Sequence, residues 1–347
     1  MRGKLPARGG IPHHCNNRMR NPRRPAQLLL EWYASARRDL PWRRTRDPWR
    51  VLVSEVMLQQ TRVAVVIPYY ERFLARFPSP QALAGAEEEE LLALWSGLGY
   101  YSRARNLKRA AEAICARGGF PETAEEWRAL PGIGEYTAAA VASICFREPV
   151  AVLDGNVARV MARLTAEEGD IASGSVRLRL KEQAQALLDP AHPGDFNQAL
   201  MELGATVCLP RQPKCLLCPW QDLCQARRRG LETELPVKVR RRQPERVALR
   251  LALIVDRGRL LLRRRPEDGR RLAGFWELPS VEELGPARSL KLLGRFRHSI
   301  THHNYEVELW HGRMRRALDG CQWHELAALD SLPLGAMTRK ALALWQS

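Results

Sequence analysis

No stretch of this sequence approaches the ~18 consecutive apolar residues that a membrane-spanning helix needs, so a helical membrane protein is not expected. The N-terminal region also lacks the apolar core of a secretory signal. The expected setting is therefore cytoplasmic, nucleoid-associated if the source is bacterial, where disulfides are rare. Neither an internal repeat nor a coiled-coil heptad is visible, which leaves out a solenoid. Negative charge is scarce: 38 Asp+Glu stand against 55 Lys+Arg, for a formal net charge of +17. Such a balance attracts polyanions, nucleic acid first among them, although charge alone also fits a merely basic surface. Residues 1–25 contain no acid and read as a basic disordered arm to which no function is assigned.

What is present suits two domains and a linker, since compact domains usually hold ~100–200 residues. Residues 26–225 carry helical patterning with short breaks such as Pro41 and Pro131-Gly132, and predict an all-α domain. Within it, Asp47-Pro48 reads as an N-cap followed by Pro at the first helical position. One helix is predicted from there through RVLVSEVMLQQTRVAVV. Residues 226–245 are basic and Pro-containing, and read as a linker. Residues 246–347 alternate short β-favouring runs with turn signals, which predicts an α+β domain.

Three features carry chemistry. Cys208, Cys215, Cys218 and Cys224 fall within seventeen residues in the pattern C-x6-C-x2-C-x5-C, a metal-site spacing that fits zinc or an iron–sulfur cluster equally well. Cys15, Cys115, Cys145 and Cys321 are isolated and read as bystanders. The turn Leu130-Pro131-Gly132-Ile133-Gly134 precedes an Ala-rich helix, where Gly132 and Gly134 would let backbone N–H groups face a phosphate. Finally, two carboxylates stand out. Asp154 in LDGNV sits where a helix N-cap is expected. Glu55 in SEVMLQQT is flanked by Leu52 and Leu58, so desolvation would raise its pKa toward that of a general acid; Gln59 and Arg62 are predicted to share its polar stripe.

From Trp42 onward the sequence resembles the endonuclease III and MutY family of DNA glycosylases. LPWR, SEVMLQQT, LWSGLGYYSRARNL, LPGIGEYTA, LDGNV and the four cysteines carry the likeness, and they point to the adenine-specific MutY branch. The resemblance implies an all-α helix-hairpin-helix glycosylase core with an iron–sulfur cluster loop, joined by the linker to a smaller α+β Nudix-like domain. It implies a 4Fe–4S cluster on the four cysteines, structural or DNA-engaging rather than hydrolytic. The implied activity is monofunctional removal of adenine mispaired with 8-oxoguanine or guanine in double-stranded DNA. Glu55 would be the general acid and Asp154 the carboxylate that stabilises the sugar or forms a transient adduct. Tyr136 would hydrogen-bond Asp154 in the transition state, with Asn156 assisting. Gln60 and Tyr100 match residues inserted around the oxidised guanine; Arg43 and Leu58 match residues lining the adenine pocket, and Gln59 is grouped with them.

Tyr136 also stands where bifunctional relatives carry a Schiff-base Lys, and a phenol forms no imine. In the C-terminal domain RLAGFWELPS resembles a Nudix domain without the acidic helix that holds Mg²⁺ in active Nudix hydrolases. The family's Phe-Ser-His lesion-reading loop aligns with Ile300-Thr301-His302, with His298 before it; Thr301 keeps a hydroxyl while Ile300 replaces the aromatic. The expected enzyme is a monomer, with a sliding clamp or mismatch-repair proteins left open as partners. Two rival readings stand beside it: a bifunctional glycosylase/lyase for oxidised pyrimidines, and a catalytically silent, metal-bearing DNA-binding protein.

Overall fold

The structure is a computed structural model and describes residues 24–239, 245–266, 272–284, 289–300, 302–314 and 316–346. Residues 1–23 of the expected basic arm, and Thr301, lie outside the described residues. Twelve helices form the first part among the described residues: α1 (Arg24–Ala36), α2 (Pro48–Leu58), α3 (Val63–Arg76), α4 (Pro80–Ala84), α5 (Glu88–Trp95), α6 (Ser102–Arg117), α7 (Ala124–Arg128), α8 (Glu135–Phe146), α9 (Gly155–Thr165), α10 (Gly174–Leu187), α11 (Pro193–Thr206) and α12 (Gln225–Arg229). Strands β1 (Glu245–Asp256), β2 (Arg259–Arg264), β3 (Trp276–Glu277), β4 (Lys291–Ile300), β5 (His303–Gly312) and β6 (Cys321–Glu325) follow, then α13 (Ala336–Gln346). No helix among the described residues is long and apolar enough to cross a membrane.

Local chemistry accounts for the elements that position the site. The Asp47 carboxylate accepts from the backbone amides of Trp49 and Arg50, and Pro48 fills the first helical position, so α2 starts where the sequence predicts. It does not continue as predicted. α2 ends at Leu58 and α3 begins at Val63, because Gln60 adopts a left-handed backbone with φ 57°. Gln59 and Arg62 therefore lie outside the helix and share no stripe with Glu55. The α8 helix is apolar on nearly all sides and buried through most of its length, from Thr137 to Ile144. Gly194 of α11 makes that possible at one crossing, since a Cβ there would stand 2.7 Å from the Ser143 carbonyl oxygen.

The segment read as a linker is partly built into the helical domain. Ala226 and Leu235 are buried, Arg163 Nε donates to the Leu235 carbonyl, and the Ile171 amide donates to the Val237 carbonyl. The Arg163 side chain of α9 and the Ile171 backbone amide order this stretch, which a basic, Pro-containing sequence does not reveal.

The C-terminal sheet runs β3-β2-β1-β5-β4, with β6 also on β2. β1 lies parallel to β5 and the other pairs are antiparallel. β4 and β5 form a hairpin with Ile300 opposite His303. This domain docks on the helices through α5 and α6: the Tyr101 and Phe275 rings lie 4.1 Å apart, Ser96 Oγ donates to the Leu334 carbonyl, and Arg105 Nη2 donates to the Ala273 carbonyl.

Candidate active site

Four helices bring their functional groups to one point. Glu55, in the last turns of α2, is only 5% exposed. The Tyr136 hydroxyl, from the first turn of α8, donates to Glu55 Oε2 at 2.6 Å and lies 3.0 Å from Met201 Sδ of α11. Asp154 caps α9, its Oδ1 accepting from the Val157 amide at 2.7 Å and its Oδ2 from Asn156 Nδ2 at 3.0 Å. Asn156 is in turn held by Arg159, whose Nη2 donates to its Oδ1 at 3.0 Å.

The electrostatics separate the two carboxyls. Burial pushes Glu55 from 4.5 to about 7, Tyr136 and Arg43 oppose the shift, and the Asp154 charge adds to it. Ionising Glu55 in place thus costs roughly 3 kcal/mol more than in water, and desolvation outweighs the hydrogen bond. Asp154 is also raised by burial, but the Val157 and Asn156 donors favour its charged form. Two carboxyls close enough for the charge of one to act on the other, one held protonated near neutrality and one supplied with N–H donors, have the polarity that general-acid cleavage requires.

Beside them, Glu202 of α11 is fully buried and takes Arg38 Nη2 at 2.7 Å and Arg43 Nη2 at 2.8 Å. Burial alone would raise its pKa, yet the two guanidinium groups hold it down to about 2. Arg43 also lies over the Tyr33 ring at 5.5 Å. Leu58 is half-buried at the end of α2, and Gln59 Nε2 donates to Thr137 Oγ1 at 3.2 Å, which ties the turn after α2 to the start of α8. Gln60 and Tyr100 are both exposed and both left-handed, with φ 57° and 48°. The hairpin turn behaves as its glycines imply: Gly132 has φ 74°, and a Cβ there would meet Asn106 Cβ at 2.4 Å. Gly134 is the N-cap of α8 and offers no side-chain cap, leaving the first-turn amides for another acceptor.

Among the described residues no three His, Cys, Asp or Glu side chains are grouped so as to hold a metal ion. Cys208, Cys215, Cys218 and Cys224 instead ring one cavity of about 30 Å³ with Arg163 and Trp220. Four sulfur donors on one cavity fit a zinc ion or an iron–sulfur cluster. Burial pushes Cys218 up to about 12 and raises Cys215 and Cys224, so these thiols need a cation to become thiolates. Arg163 fixes the loop, donating to the Leu209 and Pro210 carbonyls and lying 3.4 Å from Cys208 Sγ.

Residues 53–186 match the family described as HhH-GPD superfamily base excision DNA repair protein, and residues 250–344 match a NUDIX domain. Adenine DNA glycosylase of Homo sapiens is 39% identical across 79% of this chain and 64% of its own length. Adenine DNA glycosylase of Buchnera aphidicola from Acyrthosiphon pisum is 35% identical across 64% of this chain and 65% of its own. A solved thermostable thymine-DNA glycosylase is 30% identical over 60% of this chain and 98% of that one, with TM-score 0.54. The chain belongs to the HhH-GPD superfamily of base excision DNA repair proteins. An endonuclease III–DNA complex, 22% identical with TM-score 0.51, shares the fold of the HhH-GPD region. The chain spans 64% and 63% of the human and rat relatives' lengths.

Within this HhH-GPD chain the structure brings together Glu55, Asp154, Tyr136, Asn156 and Arg43. The Tyr136 hydroxyl is given to Glu55 and not to Asp154. Thr301 falls outside the described residues, while His302 is exposed and its carbonyl accepts from the Glu245 amide at 2.7 Å. His298, in β4, is half-buried and its pKa is lowered by burial and by Lys340. In the NUDIX part, Glu277, Glu282 and Glu283 are paired with Arg263, Arg265 and Arg250, which sets these acids against arginines. Glu202, Met201, Arg103 and Arg163 were not singled out from the sequence. A Glu within FNQALMELGATVC reads as the wet side of an amphipathic helix, and only its two distant arginine partners reveal it as buried.

Proposed function

We propose that this protein is a monofunctional adenine DNA glycosylase that hydrolyses the bond between adenine and deoxyribose opposite 8-oxoguanine or guanine. One observation carries the reading: a buried Glu55, protonated near neutrality, stands with the Tyr136 phenol and the donor-supplied Asp154 carboxylate. Double-stranded DNA is the partner, held at the Gly132–Gly134 turn through backbone amides and the α8 dipole. An extruded adenine meets the Glu55 acid, which protonates the base as the glycosidic bond breaks. Asp154 faces the positive sugar, and water completes hydrolysis; Asn156 and the Val157 amide keep the carboxylate charged and aimed. Arg43 and Glu202, part of a cluster with Arg38 beside Glu55, present fixed polar groups to the base. Gln60 and Tyr100 insert around the oxidised guanine, and Thr301 and His302 read it.

The absence of a lysine at position 136 favours hydrolysis over imine chemistry. Single-turnover assays on duplexes with A opposite 8-oxoguanine, A opposite G, and thymine glycol opposite A test this directly. Strand breaks on the first two only, and only after alkali, are expected. Breaks at thymine glycol without alkali would establish a lyase and discard the reading; tight duplex binding with no abasic product would indicate a silent DNA-binding protein.

The four cysteines would hold a 4Fe–4S cluster, which when bound supplies the positive charge that turns buried thiols into thiolates and ties the 208–224 loop to α9. Changing Cys218 to Ser is expected to lower iron content by elemental analysis and to abolish visible charge-transfer absorbance. Purified wild-type protein carrying stoichiometric zinc and no iron would replace the cluster with a zinc site.

A further inference from the structure

We propose that Arg103 is a positioning residue that locks Gln60 and Tyr100 into one rigid unit and thereby sets how tightly an adenine mispair is held; this rests on the glycosylase reading above. Arg103, on the first turn of α6, is 7% exposed, and no carboxylate is paired with it among the described residues. Its two terminal nitrogens donate to two chain segments far apart in sequence, while Nε is buried with no hydrogen-bond partner among the described residues. Nη1 donates to the carbonyls of Val56 and Met57, each at 2.9 Å, and to that of Gln59. Nη2 donates to the carbonyls of Leu98 and Gly99 at 3.2 and 3.1 Å, and to Thr61 Oγ1 at 3.2 Å. The same group lies 5.6 Å from the Tyr100 ring centre.

One cation therefore takes up the terminal carbonyls of α2 and the carbonyls of the 97–100 turn together. The negative end of the α2 dipole and this ring of carbonyls replace the missing counter-ion. Each segment carries one exposed, non-glycine residue in the left-handed region, Gln60 and Tyr100. Strained backbone of that kind persists only where its surroundings over-determine it, and such strain gathers at ligand clamps. A helix terminus needs no such arrangement for stability, since solvent or a glycine cap would satisfy it. The pairing of two strained, outward-facing side chains on a single buried fork points to prealignment for something that enters between them. The 97–100 turn is also clasped by the C-terminal domain, since Ser96 accepts from Arg339 Nε and donates to the Leu334 carbonyl.

Lysine keeps the charge but cannot span both sets of acceptors. Arg103→Lys is expected to weaken binding of an A:8-oxoG duplex about tenfold while binding of a fully paired duplex stays within about twofold. In a Gln60→Ala/Tyr100→Ala background the same change should add no further loss of mispair preference. Equal loss on both duplexes, or a full additive loss in that background, overturns the proposal. If Arg103→Lys fails to fold, Thr61→Val, which deletes one acceptor at a half-buried position, should reduce mispair preference about twofold; an unchanged preference overturns the proposal. Absence of any mispair preference in the wild-type chain would bring down the glycosylase reading as well, whereas a wild-type preference that survives Arg103→Lys defeats this inference alone.

Discussion

Replacing Glu55 by Gln is expected to lower single-turnover adenine excision by about 10²–10⁴-fold, the usual worth of a general acid, with duplex affinity largely unchanged. Gln is nearly isosteric and its carbonyl oxygen still accepts the Tyr136 hydroxyl, so packing survives while the transferable proton is lost. The same change has a signature in stability. The folded pKa of Glu55, about 7, is raised above its ordinary 4.5. Its contribution to stability is therefore full below about pH 4.5 and declines as pH rises to about 7, because folding then forces a charged carboxylate into an apolar site. The Gln variant should match wild type at low pH and exceed it above neutrality by at most about 3 kcal/mol, read as a pH-dependent difference in thermal midpoint. Full excision activity in the variant would remove Glu55 from the chemistry; a lost activity without the pH-dependent gain would mean that Glu55 is already charged at neutrality.

Asp154→Asn is expected to cost a comparable amount, about 10²–10³-fold in excision, the scale of a lost electrostatic stabiliser of a developing charge. Here the fold is protected by the double duty of the residue. Asn caps helices as well as Asp does, so the bond from the Val157 amide to Oδ1 persists and α9 starts where it did. The second oxygen becomes an NH₂ facing Asn156 Nδ2, and Asn156 cannot simply turn because Arg159 holds its Oδ1. The negative charge facing the sugar disappears. Unchanged helix content and mispair affinity with excision lost would place Asp154 in the reaction. Excision retained in Asp154→Asn would reduce it to an N-cap.

The parts that were readable in the sequence are those decided locally. Asp47-Pro48 announces the start of α2, Gly132 requires its turn, and Asp154 sits where a cap belongs; each acts within a few residues of itself. The β-favouring run from Val247 onward likewise marks β1 and β2, with β1 starting two residues earlier, inside the segment read as linker, and the runs around Trp276 and His303 mark β3 and β5. What escaped was decided by distant partners. The helical pattern runs through Gln59 and Gln60 without interruption, and α2 stops there with Arg103, some forty residues on, gathering its terminal carbonyls. Glu202 is buried by Arg38 and Arg43 from the other end of the domain. Residues 226–239 become part of the helical domain through Arg163 and Ile171. Burial of Glu55 was foreseen from Leu52 and Leu58, whereas its hydrogen bond to Tyr136 depends on how α2 meets α8, which no local pattern encodes.

The most direct test of a proton-donating Glu55 is the pH dependence of the single-turnover excision rate on an A:8-oxoG duplex at saturating protein, followed from about pH 5 to about pH 9. A donor that must be protonated loses its proton as pH rises, so the rate should hold on the acid side and fall through an inflection near 7, and this fall should be absent from the residual rate of Glu55→Gln. A wild-type rate that is flat across this range, or that rises with pH through 7, would contradict a buried, protonated Glu55 as the acid that releases adenine.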